Sequence, residues 1–454
     1  MSDKRQKTER TSTTMGRGEA PENCGEELET PMAKRETEDQ TKLMEEILDA
    51  ENLKRAYKAV VKNEGAPGVD GVTTDDLKSY LAANWSQVRK ELLSGTYKPK
   101  PVKRVEIPKP GGGTRKLGIP TVLDRFIQQA INQVLQSRWD KTFSEHSYGF
   151  RPRRSAHQAV EEAREYIRAG YRYVVDLDLE KFFDRVNHDI MMDRVAKRTA
   201  DKRLLKVLRA YLNAGILENG LVQPTEEGVP QGGPLSPLLS NLLLDELDRE
   251  LERRKLHYVR YADDCNIYVA SERAGQRVMD GITNFLSKRL RLRVNREKSA
   301  VGKPSKRKFL GFSFLLGAEP KIRLADQSKE RFKRKIRELT RPTKGRSLEQ
   351  IIRSIRRYLI GWHGYFRLCQ TPSVFTALDQ WIRRRVRCYL WRHWKRGKTR
   401  YKELTRRGVI PRTAAMVAGS PKGPWRLSAS PPLQHAIPND YLYALGLPRL
   451  GSAA

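Results

Sequence analysis

Apolar residues recur along the chain with two spacings, and each spacing predicts a different element. Apolar positions three and four residues apart predict helices over 43–65, 77–92, 121–139, 157–169, 188–212, 236–251, 274–290, 347–359 and 374–394. Runs of strand-forming residues predict hairpins over 102–119, 216–222 and 259–269, and strands over 173–179 and 309–314. Helices interleaved with strands and hairpins indicate an α+β fold over a mostly antiparallel sheet.

Three of the predicted helices begin with residues that favour helix starts. Thr121 precedes one helix, and Ser236 followed by Pro237 precedes another. Ser347 with Gln350 has the spacing of a capping box. We therefore expect these hydroxyl groups to accept hydrogen bonds from backbone N–H groups of the first turn.

The hairpin over 259–269 places two adjacent carboxylates, Asp263 and Asp264, between two apolar segments. A tight turn would display them at its tip, because a buried strand does not tolerate two charges. Two adjacent acids repel each other unless a cation lies between them, and Mg²⁺ prefers such oxygen ligands. An ordinary polar turn also explains an Asp-Asp pair, so both interpretations stay open at this point.

A third carboxylate, Asp178, ends the predicted strand over 173–179. If that strand lies next to the hairpin, Asp178, Asp263 and Asp264 form one acidic cluster at a sheet edge. Two Mg²⁺ ions about 3.5–4 Å apart in such a cluster would activate a 3′-hydroxyl and stabilise a leaving pyrophosphate. Asp176 is predicted to face the opposite side of the strand, so it is not included among the ligands.

The chain is strongly basic, with 88 Lys and Arg against 54 Asp and Glu and a formal net charge of +34. This excess implies a polyanionic partner. Residues 321–410 hold 27 Lys and Arg against 6 Asp and Glu, with aromatic residues between them. A charged, solvated face over an aromatic core would explain the basic residues of a single helix, such as the one predicted over 374–394. The whole asymmetry favours an RNA surface.

Other features narrow the class of protein. No apolar run is long enough to span a bilayer, and the Met1 end has no signal-peptide pattern. The four Cys are scattered without a Cys-x-x-Cys pair, which indicates neither a disulfide framework nor a zinc site. This usage of Cys fits a reducing cytoplasm.

Short motifs follow one another in a fixed order from about Gly65 to about Gly408. They are residues 107–109 with 115–120, 148–152, 178–184, 228–232, Tyr261-Ala262-Asp263-Asp264, Lys298 and Leu310-Gly311-Phe312. Each motif is weak alone, but the ordered series resembles the bacterial group II intron-encoded reverse transcriptases, or maturases. Residues 360–366 resemble the signature of that family's thumb, the maturase X domain, which retron, diversity-generating and phage-defence relatives lack.

The resemblance implies a right-hand polymerase, with fingers and an antiparallel palm sheet followed by an α-helical thumb. Asp178, Asp263 and Asp264 would bind two Mg²⁺ ions, with the Leu179 carbonyl as a backbone ligand and Mn²⁺ as a substitute ion. Phe183 would be the gate that clashes with a 2′-hydroxyl. The residues implied at the nucleotide are Lys109, Arg115, Arg125, Phe183, Gln231 and Lys298.

The family's thumb implies contacts with intron RNA and with the template-primer duplex. The arginines predicted to make them are Arg353, Arg356, Arg357, Arg383, Arg384 and Arg387. The implied partners are the intron RNA, a DNA target with its primer, and deoxynucleoside triphosphates, with no membrane. The sequence leaves a monomer and a dimer open.

The predicted organisation has four parts. They are a disordered leader over 1–42, fingers and palm over 43–320, a basic thumb over 321–410, and a tail over 411–454 that is either DNA-binding or irregular. Cys265 and Asn266 replace a bulkier apolar pair common in the family. Nothing after Gly408 supplies the paired Cys and His of the family's nuclease module, so we expect no second-strand cleavage and a primer supplied elsewhere.

The leading interpretation is an RNA-directed DNA polymerase that binds its intron RNA, assists splicing and copies the intron during retrohoming. A second is an RNA-binding splicing cofactor without polymerase activity, but such a binder has no use for unpaired acids beside phosphates. A third is a domesticated reverse transcriptase that serves CRISPR acquisition or phage defence.

Overall fold

The computed structural model describes residues 41–108, 113–218, 221–342 and 345–451. The helices are α1 (Leu43–Ile47), α2 (Ala50–Lys62), α3 (Leu77–Ser94), α4 (Val122–Trp139), α5 (Ala156–Arg168), α6 (His188–Ala196), α7 (Lys202–Leu212), α8 (Ser236–Arg253), α9 (Glu272–Phe285), α10 (Asp326–Leu339), α11 (Leu348–Phe366), α12 (Pro372–His393), α13 (Gly397–Arg406), α14 (Pro411–Ala418), α15 (Pro424–Leu427), α16 (Pro431–Ala436) and α17 (Asn439–Ala444). The strands are β1 (Val102–Pro108), β2 (Thr114–Ile119), β3 (Tyr173–Leu177), β4 (Ile216–Glu218), β5 (Leu221–Gln223), β6 (His257–Tyr261), β7 (Asp264–Val269), β8 (Ala300–Gly302), β9 (Phe312–Leu315) and β10 (Lys321–Leu324).

The strands form two four-stranded sheets and a separate β9–β10 hairpin. The fingers sheet has the order β2-β1-β4-β5, in which β1 and β4 are parallel and the other pairs antiparallel. The palm sheet has the order β6-β7-β3-β8 and is antiparallel throughout. This architecture confirms the predicted α+β fold with an antiparallel palm and a helical C-terminal region.

The palm sheet lies between two apolar cores because its strands alternate their side chains between two faces. Val175 and Leu177 of β3 pack into the core formed with the fingers and palm helices. Val174 packs into the other core, together with α5 and the thumb helices α10 to α12. The sheet is therefore fixed from both sides, which rigidly positions the loops at its edge.

Two of the three predicted caps are confirmed. The Thr121 hydroxyl accepts from the Asp124 N–H, and Ser347 with Gln350 forms a complete capping box. The Ser236 prediction is wrong, because Ser236 already lies in the first turn of α8 and its hydroxyl donates to the Pro230 carbonyl at 2.7 Å.

Local turns change two predicted boundaries. The helix predicted over 43–65 is two helices, because the Asp49 carboxylate accepts from the N–H groups of Glu51 and Asn52 and starts α2. The strand predicted over 309–314 begins only at Phe312. Leu310 and Gly311 have φ of 49° and 86° and form a two-residue turn, a conformation that ends a strand.

The C-terminal segment after the thumb is helical rather than irregular. Helices α14 to α17 pack against the thumb, and the Asp379 carboxylate of α12 accepts from the Leu450 N–H at 2.9 Å and the Gly451 N–H at 3.1 Å. The leader predicted over 1–42 falls almost entirely outside the described residues. Within the described ranges, no helix combines the length and apolarity that crossing a membrane requires.

Candidate active site

The two adjacent carboxylates lie where β6 turns into β7. Tyr261 pairs with Asp264 across the hairpin, which leaves Ala262 and Asp263 as the two turn residues. Ala262 has a φ of 58°, a left-handed conformation that a two-residue hairpin turn requires. Asp263 is therefore at the turn, and Asp264 is the first residue of β7.

Asp178 lies beside Asp264 because β3 and β7 are neighbours in the palm sheet. Leu177 pairs with Cys265, so the next residue of β3 falls opposite the preceding residue of β7. Asp178 and Asp264 line one cleft of about 620 Å³, together with Asp176 and Lys298. The sheet therefore brings together two of the three carboxylates that were predicted to form a cluster, and Asp263 follows at the turn.

The expectation that Asp176 faces the opposite side of the strand from Asp178 is wrong. Residues two apart in a strand point to the same face, so Asp176 and Asp178 share a side, and both line the cleft. The Asp176 carboxylate accepts from the Arg307 guanidinium at 2.6 and 3.0 Å. Burial raises the pKa of Asp176, and Arg307 opposes that shift.

Crowding of negative charge is strongest at Asp264. Burial, and then the carboxylates of Asp176 and Asp263, raise the pKa of Asp264 to about 8. Desolvation also raises the pKa of Asp263; repulsion from Asp178 adds to the shift, and the Arg115 guanidinium opposes it. A bound cation would relieve this repulsion.

Cations already border the cluster. The Lys298 Nζ is 3.7 Å from the Asp178 carboxylate, and the Lys298 side chain is largely exposed. The Arg307 guanidinium also donates to the Lys298 carbonyl at 2.8 Å. The segment around Lys298 is thereby fixed against β3, which places an ammonium group at the edge of the cleft.

The donor set fits a divalent ion that takes further ligands from its substrate. Within the described ranges, no three His, Cys, Asp or Glu side chains form a ready metal-binding group. Mg²⁺ does not need such a cage, since it binds through one or two carboxylates plus phosphate and water oxygens. Asp178 and Asp264 on adjacent strands supply that minimum.

Phe183 and Gln231 line a second, smaller cavity of about 110 Å³. Phe182 is buried and Phe183 is half-buried, with their rings 5.1 Å apart. The Gln231 carbonyl accepts from the Gly118 N–H at 2.8 Å, which joins the palm to β2 of the fingers. A Cβ at Gly232 would be 2.5 Å from the Gly118 carbonyl oxygen, so this close approach requires glycine.

Three other predicted nucleotide and metal ligands, Arg115, Arg125 and Leu179, are not among the residues that line the cleft. Arg115 is exposed on β2, and Leu179 is buried in a bridge with Val294. The Arg125 guanidinium donates to the Ala66 carbonyl at 2.7 Å, so it is engaged within the protein rather than directed at open solvent. Lys109 lies outside the described residues.

Comparisons with known proteins identify this arrangement. The family described as reverse transcriptase (RNA-dependent DNA polymerase) matches residues 107–314, and the group II intron, maturase-specific domain matches residues 329–408. The chain is 34% identical to protein YkfC of Escherichia coli K12 over 300 residues, which cover 57% of this chain and 79% of YkfC.

The chain belongs to the group II intron reverse transcriptase/maturase family. It is 34% identical to the group II intron-encoded protein LtrA of Lactococcus lactis over 221 residues, which cover 48% of this chain and 37% of LtrA. A solved partial Cas6-RT-Cas1--Cas2 complex aligns with a TM-score of 0.36 at 24% identity, over 54% of this chain and 42% of that chain. Enzymes of this reverse transcriptase family use divalent metal ions.

The maturase domain carries the predicted RNA-binding arginines in two different environments. Arg353, Arg356 and Arg357 are exposed on α11. Those on α12 instead contact the C-terminal segment. Arg383 donates to the Tyr443 hydroxyl at 2.8 Å, and Arg387 is buried and donates to the Ile437 carbonyl at 2.8 Å.

Arg384 completes this C-terminal contact. Its guanidinium lies 4.0 Å from the Trp425 ring centroid and donates to the Trp425 carbonyl at 2.9 Å. The six predicted arginines therefore divide into an exposed set on α11 and a set on α12 that contacts the C-terminal segment, and their role in RNA binding stays a prediction.

Sequence reasoning missed one prominent group, the buried pair of Arg260 and Asp248. Both side chains are fully buried behind the Asp-Asp turn. The available signal was an arginine at an inward position of a strand that is otherwise apolar and aromatic at 258–261. A charge at such a position requires a buried partner.

Proposed function

We propose that the chain synthesises DNA on an RNA template by two-Mg²⁺ nucleotidyl transfer from a deoxynucleoside triphosphate to a primer 3′-hydroxyl. The single observation that carries the proposal is the placement of Asp178 beside Asp264 in one cleft, with Asp263 at the adjoining turn. At Asp264, repulsion from neighbouring carboxylates adds to the effect of burial on its pKa. A bound cation would therefore stabilise these acids in a protein whose net charge is strongly positive.

Each surrounding residue has a defined part in this reaction. Bound Mg²⁺ would activate the 3′-hydroxyl and neutralise charge that develops on the phosphates. Asp178, Asp263 and Asp264 would hold the ions, and Arg115 would neutralise the triphosphate from the fingers. Phe183 would exclude a 2′-hydroxyl by contact with its ring, which selects deoxynucleotides.

The thumb would bind the chain's own group II intron RNA and assist its splicing. The support is the match to the maturase-specific domain and the exposed arginines of α11. In retrohoming, the same protein would copy the intron at a DNA target from a primer supplied there. This work would take place in the bacterial cytoplasm and at the nucleoid.

The test separates polymerisation from RNA binding by replacing Asp263→Ala and Asp264→Ala together. We expect cDNA synthesis on a primed RNA template to vanish, because removing metal ligands takes away the electrostatic stabilisation of the transition state. Intron RNA binding and the rate of assisted splicing should stay at wild-type values. Primer extension and a splicing assay on one protein preparation measure both.

A matched control is Asp193→Ala, an exposed acid on α6 that pairs with Lys197 at 2.9 Å. It removes a carboxylate outside the cleft and should retain cDNA synthesis. Continued synthesis by the double variant would refute the assignment of the site. Loss of splicing assistance by a double variant with the wild-type circular dichroism spectrum would refute the separation of the two functions.

A further inference from the structure

A fully buried ion pair lies directly behind the Asp-Asp turn. Arg260 of β6 and Asp248 of α8 are both 0% exposed. The Arg260 Nε donates to Asp248 Oδ1 at 2.7 Å, and Nη2 donates to Oδ2 at 2.5 Å. This two-pronged contact fixes the plane of the guanidinium group relative to helix α8.

The remaining guanidinium nitrogen reaches the turn itself. The Arg260 Nη1 donates to the Ala262 carbonyl at 3.0 Å and to Asn241 Oδ1 at 3.1 Å. Ala262 has a φ of 58°, a left-handed conformation that is strained for any residue with a Cβ. Such strain persists only where the surroundings hold the backbone. Arg260 holds the carbonyl group immediately before Asp263.

Further contacts with Tyr148 and Gly149 fix the turn. The Asn241 amide donates to the Gly149 carbonyl at 2.8 Å, and the Tyr148 N–H donates to the Arg260 carbonyl at 2.8 Å. A Cβ on Gly149 would be 2.2 Å from the Ala262 nitrogen. Backbone therefore packs directly on backbone at the turn, and a side chain at position 149 would displace it.

Stability alone does not explain this pair. Burying two charges is costly, and apolar residues of similar volume often serve as well or better. The arrangement uses guanidinium N–H groups in a fixed plane to reach Asp248, Asn241 and Ala262 at once, and a lysine ammonium group cannot reproduce it. The Arg260–Asp248 pair therefore contributes a fixed hydrogen-bonding geometry rather than a favourable charge interaction.

We propose that Arg260 is a positioning residue that, with Asp248, Asn241 and Gly149, holds the Asp263–Asp264 turn in the geometry that binds metal. The inference rests on the proposed two-metal polymerase function. Residues that support metal ligands in this way typically contribute about 10–100-fold to metal affinity or activity.

The test uses Arg260→Lys and the paired variant Arg260→Leu with Asp248→Leu. In each, kcat for primer extension should fall about 10–100-fold, with little change in KM for the nucleotide. The half-saturating Mg²⁺ concentration should rise. Electron paramagnetic resonance of Mn²⁺ added to the protein with template-primer should show weaker binding, a readout that does not depend on turnover.

The matched control is Arg198→Lys. Arg198 also pairs with a buried carboxylate of α8, its Nη2 lying 2.7 Å from Asp245, but it does not contact the turn. This variant should keep the wild-type kcat and metal dependence. Equal losses of kcat and of metal binding in Arg198→Lys and Arg260→Lys would mean that the Arg260–Asp248 pair acts only by stabilising the fold. That result would overturn the inference.

Wild-type kcat and Mn²⁺ binding in Arg260→Lys would also overturn the inference. If the paired leucine variant does not fold, Gly149→Ala takes its place, with the same loss expected because the added methyl group displaces Ala262. A wild-type protein without primer extension would instead refute the proposed function, so the two failures are distinguishable.

Discussion

In the palm, carboxylates crowd together at one sheet edge, whereas in the thumb arginines are spread along helices. Burial of Asp264, and then repulsion from the neighbouring palm carboxylates Asp176 and Asp263, raise the pKa of Asp264 to about 8. The arginines of α11 face solvent, where each charge is largely screened from the others. We therefore expect palm function to depend on where its charges lie, and thumb function to depend on how many charges it presents.

A second difference lies in how the two regions use buried arginine. In the palm, Arg260 supports a turn that carries two acids. In the thumb, Arg387 uses similar hydrogen bonds to attach the C-terminal segment, through the Ile437 carbonyl and the Asn439 side chain at 2.8 Å each. Arg260 thus supports the proposed metal site, whereas Arg387 attaches one segment of the fold to another.

The largest effect that tests this comparison is expected from replacing Arg353, Arg356 and Arg357 of α11 by alanine together. If each contacts one phosphate, the slope of log affinity against log salt should become shallower by about two to three. Filter binding of the intron RNA at several KCl concentrations measures the slope. Primer extension at saturating template should remain.

The control for this prediction is Arg383→Ala with Arg387→Ala. These side chains contact the C-terminal segment, so thermal stability should fall while the salt slope changes little. The opposite pattern, with the slope changed only by the α12 variant, would show that the C-terminal segment leaves its position to expose RNA-binding arginines.

A smaller effect should distinguish glycines of the two regions. Gly228 in the palm has a φ of 99°, and a Cβ there would be 3.1 Å from the Phe183 carbonyl oxygen. Gly228→Ala should therefore destabilise the protein by about 1–3 kcal/mol. Gly361 lies within α11, and a Cβ there would meet open space beyond the backbone of its own helix. Gly361→Ala should therefore stabilise the helix by up to about 1 kcal/mol.

Denaturant unfolding of the two alanine variants measures these changes. Both replace glycine by the same residue, so each serves as a control for the other. A stabilising effect of Gly228→Ala would show that the backbone near Phe183 can shift without cost, contrary to the rigid palm that the comparison assumes.

The smallest effect concerns a polar cluster beside the palm hairpin. The His146 Nδ1–H donates to Glu162 at 2.5 Å, and this hydrogen bond raises the pKa of His146. Burial alone would raise the pKa of Glu162, but hydrogen bonds from His146, Tyr148 and Tyr166 hold it below its usual range.

The signs of these shifts define a pH window. The His146 contribution is full below its unfolded pKa of about 6.5 and is lost as the pH rises through its higher folded pKa. The Glu162 contribution is present above about pH 4.3 and is lost as the pH falls through its lower folded pKa. His146→Gln should thus lower the melting temperature most near about pH 5.5 and least near about pH 8.5. A loss independent of pH would show that packing, rather than charge, accounts for the contact.

Sequence alone determined the element types of the palm and singled out its candidate metal ligands. Apolar residues around Asp178, Asp263 and Asp264 predicted one strand and one hairpin, since local spacing is written directly in the chain. That the two are neighbours came only from the pairing of β3 with β7. The alternation of side chains along a strand places Asp176 on the same side as Asp178. The incorrect expectation for Asp176 therefore came from misapplying this rule and not from missing information in the sequence. Two of three helix caps followed from residues within one turn of each other.

Only the tertiary structure decided which distant groups meet. Arg387 faces the Ile437 carbonyl 50 residues later, and Gly149 packs on Ala262 across more than a hundred residues. These contacts arise from helix and sheet packing, which no local pattern encodes. They give Arg383, Arg384 and Arg387 of α12 partners in the C-terminal segment, and they give the Asp-Asp turn its buried support.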